Sequence, residues 1–228
     1  DAEVSEERHQ TRGSEEVRAR AVEIIKLADS ESGFSRRKLI RRSLYSALAL
    51  FPLPAIMIFG DLGPNPGNTL RHTMWKKGTR LATDPTGTPI KASDVTLGSV
   101  FHVIPEGLAD LEHHKLEEKA KAAVLLVRLD PADLKESDER KGWSYDGIVA
   151  YSKICTHVGC PVALYEQQTH HLLCPCHQST FDVTDACKVI FGPASRPLPQ
   201  LPIAVDAEGY LIAQSDFTEP VGPSFWER

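Results

Sequence analysis

The sequence predicts a mainly β domain carried on one N-terminal transmembrane helix. Three observations predict it: an uncharged apolar run follows a basic cluster near the N-terminus, short β-like runs separated by turn residues fill the rest, and Cys and His gather in two tight motifs. The length of 228 residues allows one sizeable domain with appendages. A net charge of −5 argues against a nucleic-acid-binding protein.

Residues 1–34 form a polar, charged segment in which Glu15–Leu27 is predicted to be helical. Its apolar residues recur at helical spacing and would lie on one stripe. The stripe comprises Val17, Ala21, Ile24, Ile25 and Ala28. Two interpretations remain open, a solvated amphipathic helix and a helix that docks on a partner or on a membrane face.

Residues 35–60 predict a membrane anchor of the twin-arginine type. The apolar run 44–59 holds 16 residues without a charge, and a span usually needs about 20. Arg41 and Arg42 can snorkel and so lengthen the run, while Pro52 and Pro54 would kink it. The preceding letters SRRKLI match the signal of an export route that carries folded, cofactor-loaded proteins.

A buried core helix and a cleaved signal peptide are two other interpretations of this run. Five basic residues beside the run are unusual for a buried core helix. A cleaved signal peptide would need a small-x-small cleavage site after the run, and none follows it. By the positive-inside rule, an uncleaved anchor leaves residues 1–34 in the cytoplasm and the chain after Gly60 outside. Residues 61–72 are then a tether, since Asp61–Asn68 is rich in Gly, Pro and Asn.

Residues 73–228 predict the mainly β head. A surface helix is expected at Leu108–Lys121, with His113 and His114 in solvent. The β-like runs are Ser99–Ile104, Ala123–Leu129, Gly147–Tyr151, Lys188–Phe191, Ile203–Val205 and Tyr210–Ala213.

Four of the five cysteines fall in two motifs, C-T-H-V-G-C at 155–160 and C-P-C-H-Q-S at 174–179. Each motif presents Cys and His from one tight loop, and the 16 residues between His157 and Cys174 suffice for a hairpin that brings the loops together. The fifth, Cys187, has no obvious partner and is expected to be a small buried hydrophobe.

The spacing of these ligands selects among metal sites. Structural zinc typically uses C-x(2–4)-C with H-x(3–5)-H, and four Cys with two His exceed its needs. A c-type haem needs C-x-x-C-H, and residues 174–177 are one residue short. A [2Fe–2S] cluster with two Cys and two His uses four of the six groups. Cys160 and Cys176 then remain near the loop ends, where a disulfide can join them on the oxidising side of a membrane.

The two motifs closely resemble the signature of Rieske iron–sulfur proteins of cytochrome bc complexes, strongly over about residues 145–200. The resemblance implies a Rieske head over 73–228, with a β-sandwich-like base and a small cluster-binding subdomain at about 152–197. It implies Cys155 and Cys174 on the buried iron and His157 and His177 on the exposed iron. Its remaining implications are a Cys160–Cys176 disulfide, a hydrogen bond from Ser179 to a cluster sulfur, and a covering loop at Gly192, Pro193 and Ala194.

The resemblance also implies partners. His177 or His157 would meet a quinol at a site on cytochrome b, and the electron would pass to a c-type cytochrome, which makes the chain a subunit of a quinol–cytochrome c reductase in the cell membrane. High-potential members carry Tyr where this chain has Phe181, and a lost hydrogen bond to sulfur lowers the potential. Menaquinol is therefore the expected quinol. A terminal oxidase in a supercomplex is a further candidate partner.

Residues 61–84 resemble the actinobacterial branch of the family, whose subunits have extra upstream membrane helices. Such helices would explain a chain that begins with Asp1. Two alternatives carry a similar signature: the Rieske small subunit of an exported enzyme such as arsenite oxidase, and the soluble ferredoxin of a ring dioxygenase. The ferredoxins lack the second cysteine pair and the anchor. A third alternative, from another class, is a zinc-binding structural module without redox activity.

Overall fold

The computed structural model describes residues 12–60 and 67–223. They belong to two compact units, Asp1–Asn65 and Pro66–Arg228. Residues 61–66, the first half of the predicted tether at 61–72, lie outside the described residues.

Helix α1 (Glu15–Ser32) opens the first unit. Ser14 caps it by accepting a 3.3 Å hydrogen bond from the Val17 N–H. Gly33 ends it in the left-handed conformation (φ 61°), where glycine carries no Cβ penalty. The predicted helix is confirmed and runs five residues beyond Leu27, because Gly33 is the first residue suited to a left-handed cap.

Helices α2 (Lys38–Leu50) and α3 (Pro52–Phe59) follow. Phe51 keeps right-handed helical angles (φ −56°, ψ −42°), so the backbone stays helical across the junction. Among the described residues, Lys38–Phe59 is long and apolar enough to cross a membrane, and none of it is buried. Its 22 residues span about 33 Å at the helical rise, which matches a hydrocarbon core of about 30 Å.

The described part of the second unit, residues 67–223, contains ten short antiparallel strands. Strands β1–β4 form one four-stranded sheet in that order, β5–β8 form another, and β9 and β10 form a pair. The strands are β1 Leu81–Thr83, β2 Val100–Pro105, β3 Val124–Arg128, β4 Ile148–Ser152, β5 Leu164–Glu166, β6 His171–Leu173, β7 Thr180–Asp182, β8 Lys188–Phe191, β9 Ile203–Val205 and β10 Leu211–Ala213. All six predicted strands are confirmed; β1, β5, β6 and β7 were missed.

The predicted surface helix is wrong at its start. Helix α4 spans Lys115–Ala122, and Leu108 instead begins a separate 3₁₀ turn in which its side chain is fully buried. His114 adopts a left-handed conformation (φ 56°) directly before α4, which separates the turn from the helix. His113 and His114 are exposed, as expected.

Strand β3 lies between two hydrophobic cores. Val124 and Leu126 pack into a first core, together with residues of β9 and β10 such as Ile203 and Leu211. Leu125 and Val127 face the opposite way into a second core, as the two-residue period of a strand requires. The first core is the interior of the predicted β-sandwich-like base.

The second core supports the motif loops. It contains Cys155 and Cys174 together with Tyr151, Phe181 and Cys187. Cys187 is fully buried, and this burial raises the pKa of its thiol. It behaves as the small hydrophobe that the sequence analysis expected.

Candidate iron–sulfur centre

The first motif forms a tight loop between β4 and β5. The Cys155 N–H donates to the Cys160 carbonyl at 2.8 Å, and the Gly159 N–H donates back to the Cys155 carbonyl at 3.0 Å. Gly159 has φ 85°, a left-handed value that glycine accepts without strain. The loop therefore presents Cys155 and His157, two residues apart, from one closed turn.

The second motif forms an equivalent loop between β6 and β7. The Cys174 N–H donates to the Ser179 carbonyl at 2.9 Å, and the Gln178 N–H donates back to the Cys174 carbonyl at 3.0 Å. Gln178 takes the left-handed place of the glycine, with φ 59°. Both loops thus share one pattern, in which the first residue bonds to the sixth and the fifth bonds back to the first. The hairpin predicted between the motifs is β5–β6.

The four predicted ligand side chains form two pairs, a thiol pair and an imidazole pair, and each pair takes one member from each motif loop. Cys155 and Cys174 are 1% and 2% exposed, and their side chains are in hydrogen-bond contact. His157 is half-buried and His177 is exposed. The two imidazole rings lie edge to face, with centroids 4.7 Å apart and planes at 89°. Two thiols therefore lie on the inner side and two imidazoles on the outer side.

Two features of this site fit a metal cluster. The Nδ1 atom of His157 is buried, and no hydrogen-bond partner for it lies among the described residues, although a buried polar atom without a partner costs free energy. Burial raises the pKa of the Cys155 thiol, so a thiolate here needs a cation to stabilise it. Iron bonded to both side chains would satisfy both requirements.

Cys160 and Cys176 lie beside the predicted ligands. Their sulfurs lie within 4.8 Å of each other and of the Cys174 sulfur, and all five cysteines are free thiols in the structure. Contact with Cys160 is the main factor that raises the pKa of the Cys176 thiol to about 11. The two cysteines are close neighbours, and the disulfide between them stays a prediction. Of the three clustered sulfurs, only Cys174 belongs to the predicted ligand set.

The predicted covering loop packs against the second motif loop. The Ala194 N–H donates to Ser179 Oγ at 3.1 Å. Burial raises the pKa of the Cys155 thiol, and the nearby Ser179 side chain lowers it in part. Gly192 has φ 85°, and a Cβ there would lie 2.6 Å from the Cα of Ser179. Only glycine permits this approach. Pro193, between them, is exposed.

Two residues at this site, Thr156 and Arg196, were not predicted from the sequence. Thr156 Oγ1 donates to the Arg196 carbonyl at 2.6 Å, which ties the first motif loop to the segment after the covering loop. Thr156 lies inside a motif, so its position was a signal for a role at the site. Arg196 had no such signal, because its partners lie far from it in sequence.

The chain is similar to known proteins over the segment that contains both motif loops. Residues 123–202 match the family model described as Rieske [2Fe-2S] domain. The cytochrome bc1 complex Rieske iron-sulfur subunit of Streptomyces coelicolor is 54% identical over 228 residues, which covers 100% of this chain and 64% of that protein. The subunit of the same name from Streptomyces lividans is 58% identical over 168 residues, covering 74% of this chain and 98% of that protein.

A more distant relative is the subunit of the same name from Mycobacterium bovis. It is 38% identical over 258 residues, which covers 98% of this chain and 60% of that protein. The chain therefore spans about 60–64% of the length of the Streptomyces coelicolor and Mycobacterium bovis proteins.

Proposed function

Since this chain belongs to the Rieske iron–sulfur subunits of cytochrome bc1 complexes, we propose that it holds a [2Fe–2S] cluster on Cys155, His157, Cys174 and His177. The observation that carries the proposal is the convergence of two buried thiols and an edge-to-face imidazole pair on two loops of the same hydrogen-bond pattern. The partnerless Nδ1 of His157 supports it. When bound, the cluster supplies one-electron redox chemistry.

The two ligand pairs have different tasks. Cys155 and Cys174 are buried and would hold the inner iron away from water. His157 and His177 hold the outer iron at the surface. An imidazole bonded to metal through one nitrogen keeps the other nitrogen for a hydrogen bond and a proton. Because His177 is exposed, its outer nitrogen, when it carries no proton of its own, would be placed to accept a hydrogen bond and then a proton from a quinol.

The chain thereby serves a quinol–cytochrome c reductase. It accepts an electron from menaquinol at the cytochrome b subunit and passes it to a c-type cytochrome subunit. The segment Lys38–Phe59 anchors it in the lipid bilayer. The basic residues at its start favour a cytoplasmic N-terminal segment and an extracytoplasmic head. On that oxidising side, a Cys160–Cys176 disulfide would persist.

Copurification tests the assignment to a bc complex. The tagged full chain is solubilised from membranes in mild detergent and purified. We expect b- and c-type haem to copurify with it, as measured by pyridine haemochrome spectra. Molybdenum in place of haem would instead assign it to an arsenite-oxidase-type enzyme. Zinc without iron or acid-labile sulfide would establish the structural module and refute the redox function.

A second prediction concerns the quinol. Phe181 is fully buried in the core that contains Cys155 and Cys174, and it offers no hydroxyl to a cluster sulfur. We expect a midpoint potential below that of ubiquinol-linked relatives, and Phe181→Tyr should raise it. One hydrogen bond to a charged group contributes about 1.5 kcal/mol, or roughly 60 mV for one electron.

Redox titration followed by electron paramagnetic resonance measures both values. Phe101→Tyr is the matched control, because Phe101 packs against the other core and its hydroxyl would lie away from the ligands. A wild-type potential as high as that of the ubiquinol-linked proteins would refute the menaquinol assignment. An unchanged potential in Phe181→Tyr would refute the role of this position.

A further inference from the structure

Residues 216–223, here termed the C-terminal strap, are bonded to the start of the second unit. Both carboxylate oxygens of Asp216 accept hydrogen bonds from Thr73, from its N–H at 2.8 Å and from its hydroxyl at 2.6 Å. The Val221 N–H donates to the Leu70 carbonyl at 2.9 Å. Phe217 and Val221 are buried in the first core. The strap is therefore fixed to the base of the head.

The far end of the strap reaches the candidate centre through Arg196. One guanidinium nitrogen of Arg196, Nη2, donates to the Pro220 carbonyl at 2.5 Å and to the Gly222 carbonyl at 2.7 Å. The side chain is 12% exposed, and a carboxylate oxygen of Glu219 lies 3.7 Å from Nη1. Charged donors on carbonyl groups in a largely buried place form strong hydrogen bonds.

The strap also lies against the first motif loop. A Cβ on Gly222 would lie 2.8 Å from Cγ2 of Ile154, and one on Gly159 would lie 3.4 Å from Cδ of Pro223. Ile154 precedes the predicted ligand Cys155, and Gly159 closes the loop around it. The last described residues thus pack beneath the loop that presents two of the ligands.

The backbone around Arg196 contacts both motif loops. Its carbonyl accepts the hydroxyl of Thr156, which lies between two ligands. Two residues earlier, the Ala194 N–H donates to Ser179 Oγ. That bond occupies the oxygen as an acceptor and leaves the hydroxyl proton for a sulfur of the proposed centre.

We propose that Arg196 is a positioning residue that fastens the covering loop to the C-terminal strap and thereby holds Ser179 and Thr156 in place against the cluster ligands. The proposal rests on the cluster assignment made above. Lysine cannot replace arginine fully, because an ammonium group lacks the rigid planar arrangement of donors that a guanidinium presents.

A change in potential follows from this arrangement. Reduction makes the cluster more negative, and a hydroxyl donated to a ligand sulfur stabilises that state. When the covering loop loosens, the Ala194 bond to Ser179 weakens and the hydroxyl turns away for part of the time. The equilibrium constant for reduction should then fall by roughly three- to tenfold, which is less than the effect of one whole charged hydrogen bond because the bond is lost for only part of the time.

Hydrogen exchange on the purified complex tests the fastening itself. We expect Arg196→Met to raise amide exchange at Val221 and across 194–199 by at least about tenfold, the effect of about 1.4 kcal/mol of local stability. Arg196→Lys should fall between Arg196→Met and wild type. Glu219→Gln, which keeps both carbonyl contacts, should match wild type. Equal exchange in all four proteins would overturn the proposal.

A redox titration by electron paramagnetic resonance on the same samples tests the coupling. The midpoint should fall in Arg196→Met, fall less in Arg196→Lys and stay constant in Glu219→Gln. Faster exchange with an unchanged potential would leave Arg196 as a purely structural residue and refute its positioning role. If Arg196→Met does not accumulate, Arg196→Lys decides both points. Absence of any cluster signal in the wild type would instead refute the cluster assignment, while the exchange data still report on the strap.

Discussion

Replacing His177 with alanine should abolish the Rieske-type electron paramagnetic resonance signal of dithionite-reduced membranes. His177 is exposed at the tip of the second motif loop, and its ring meets that of His157 edge to face. In the proposed ligand set, its removal would take one of two nitrogen ligands from the outer iron. Loss of groups that merely support a metal ligand already costs about 10–100-fold in affinity, so loss of a ligand should empty or convert the site.

The signal to be measured has an average g value below that of all-cysteine clusters. His113→Ala is the control, because His113 is an exposed histidine outside the motif loops, and it should keep the full signal. A full signal in His177→Ala would contradict the ligand set. A wild-type sample that contains zinc and no iron would refute the cluster and support the structural module.

Gly192→Ala should destabilise the head and damage the cluster signal, whereas Gly209→Ala should leave the signal intact. Both glycines have left-handed angles, with φ 85° and 88°, so the backbone strain of about 1–2 kcal/mol is common to both. At Gly192 the new Cβ would also lie 2.6 Å from the Cα and 2.9 Å from the backbone nitrogen of Ser179. Around Gly209, no described atom lies within 4 Å of such a Cβ.

The difference in stability between Gly192→Ala and Gly209→Ala measures the cost of the contact between the new Cβ and the Ser179 backbone. Backbone atoms cannot rotate away as a side chain does, so the covering loop must move, at a further cost of about 1–3 kcal/mol. We expect thermal unfolding of Gly192→Ala to begin several degrees lower than that of Gly209→Ala, at about 2–4 °C per kcal/mol. Equal melting temperatures and equal signals would show that the covering loop does not constrain the second motif loop.

The motifs themselves could be predicted from the sequence because their chemistry is local. Cys155 and His157 are two residues apart, and Cys174 and His177 are three apart, so a single turn presents each pair. The anchor is equally local, since a run of apolar residues after basic ones needs a membrane wherever the rest of the chain folds. Strand β3 could be predicted because β-branched and aliphatic residues fill its first four positions.

The short strands escaped prediction for the converse reason. Strands β5, β6 and β7 have three residues each, and so short a run carries little periodicity of its own. Their pairing with one another makes them strands. The surface helix predicted at Leu108–Lys121 includes Leu108. In the structure, Leu108 is buried in the first core and lies in a separate 3₁₀ turn.

The sequence by itself determined the type of centre and the presence of an anchor, because both depend on residue types at short spacing. Only the tertiary structure decided which groups hold the centre in position. The Cα of Ser179 lies close to Gly192, the hydroxyl of Thr156 reaches the carbonyl of Arg196, and Arg196 reaches the strap. These contacts join positions 13 to 40 residues apart. Their energy arises only when folding has buried the groups together, so no local pattern records them.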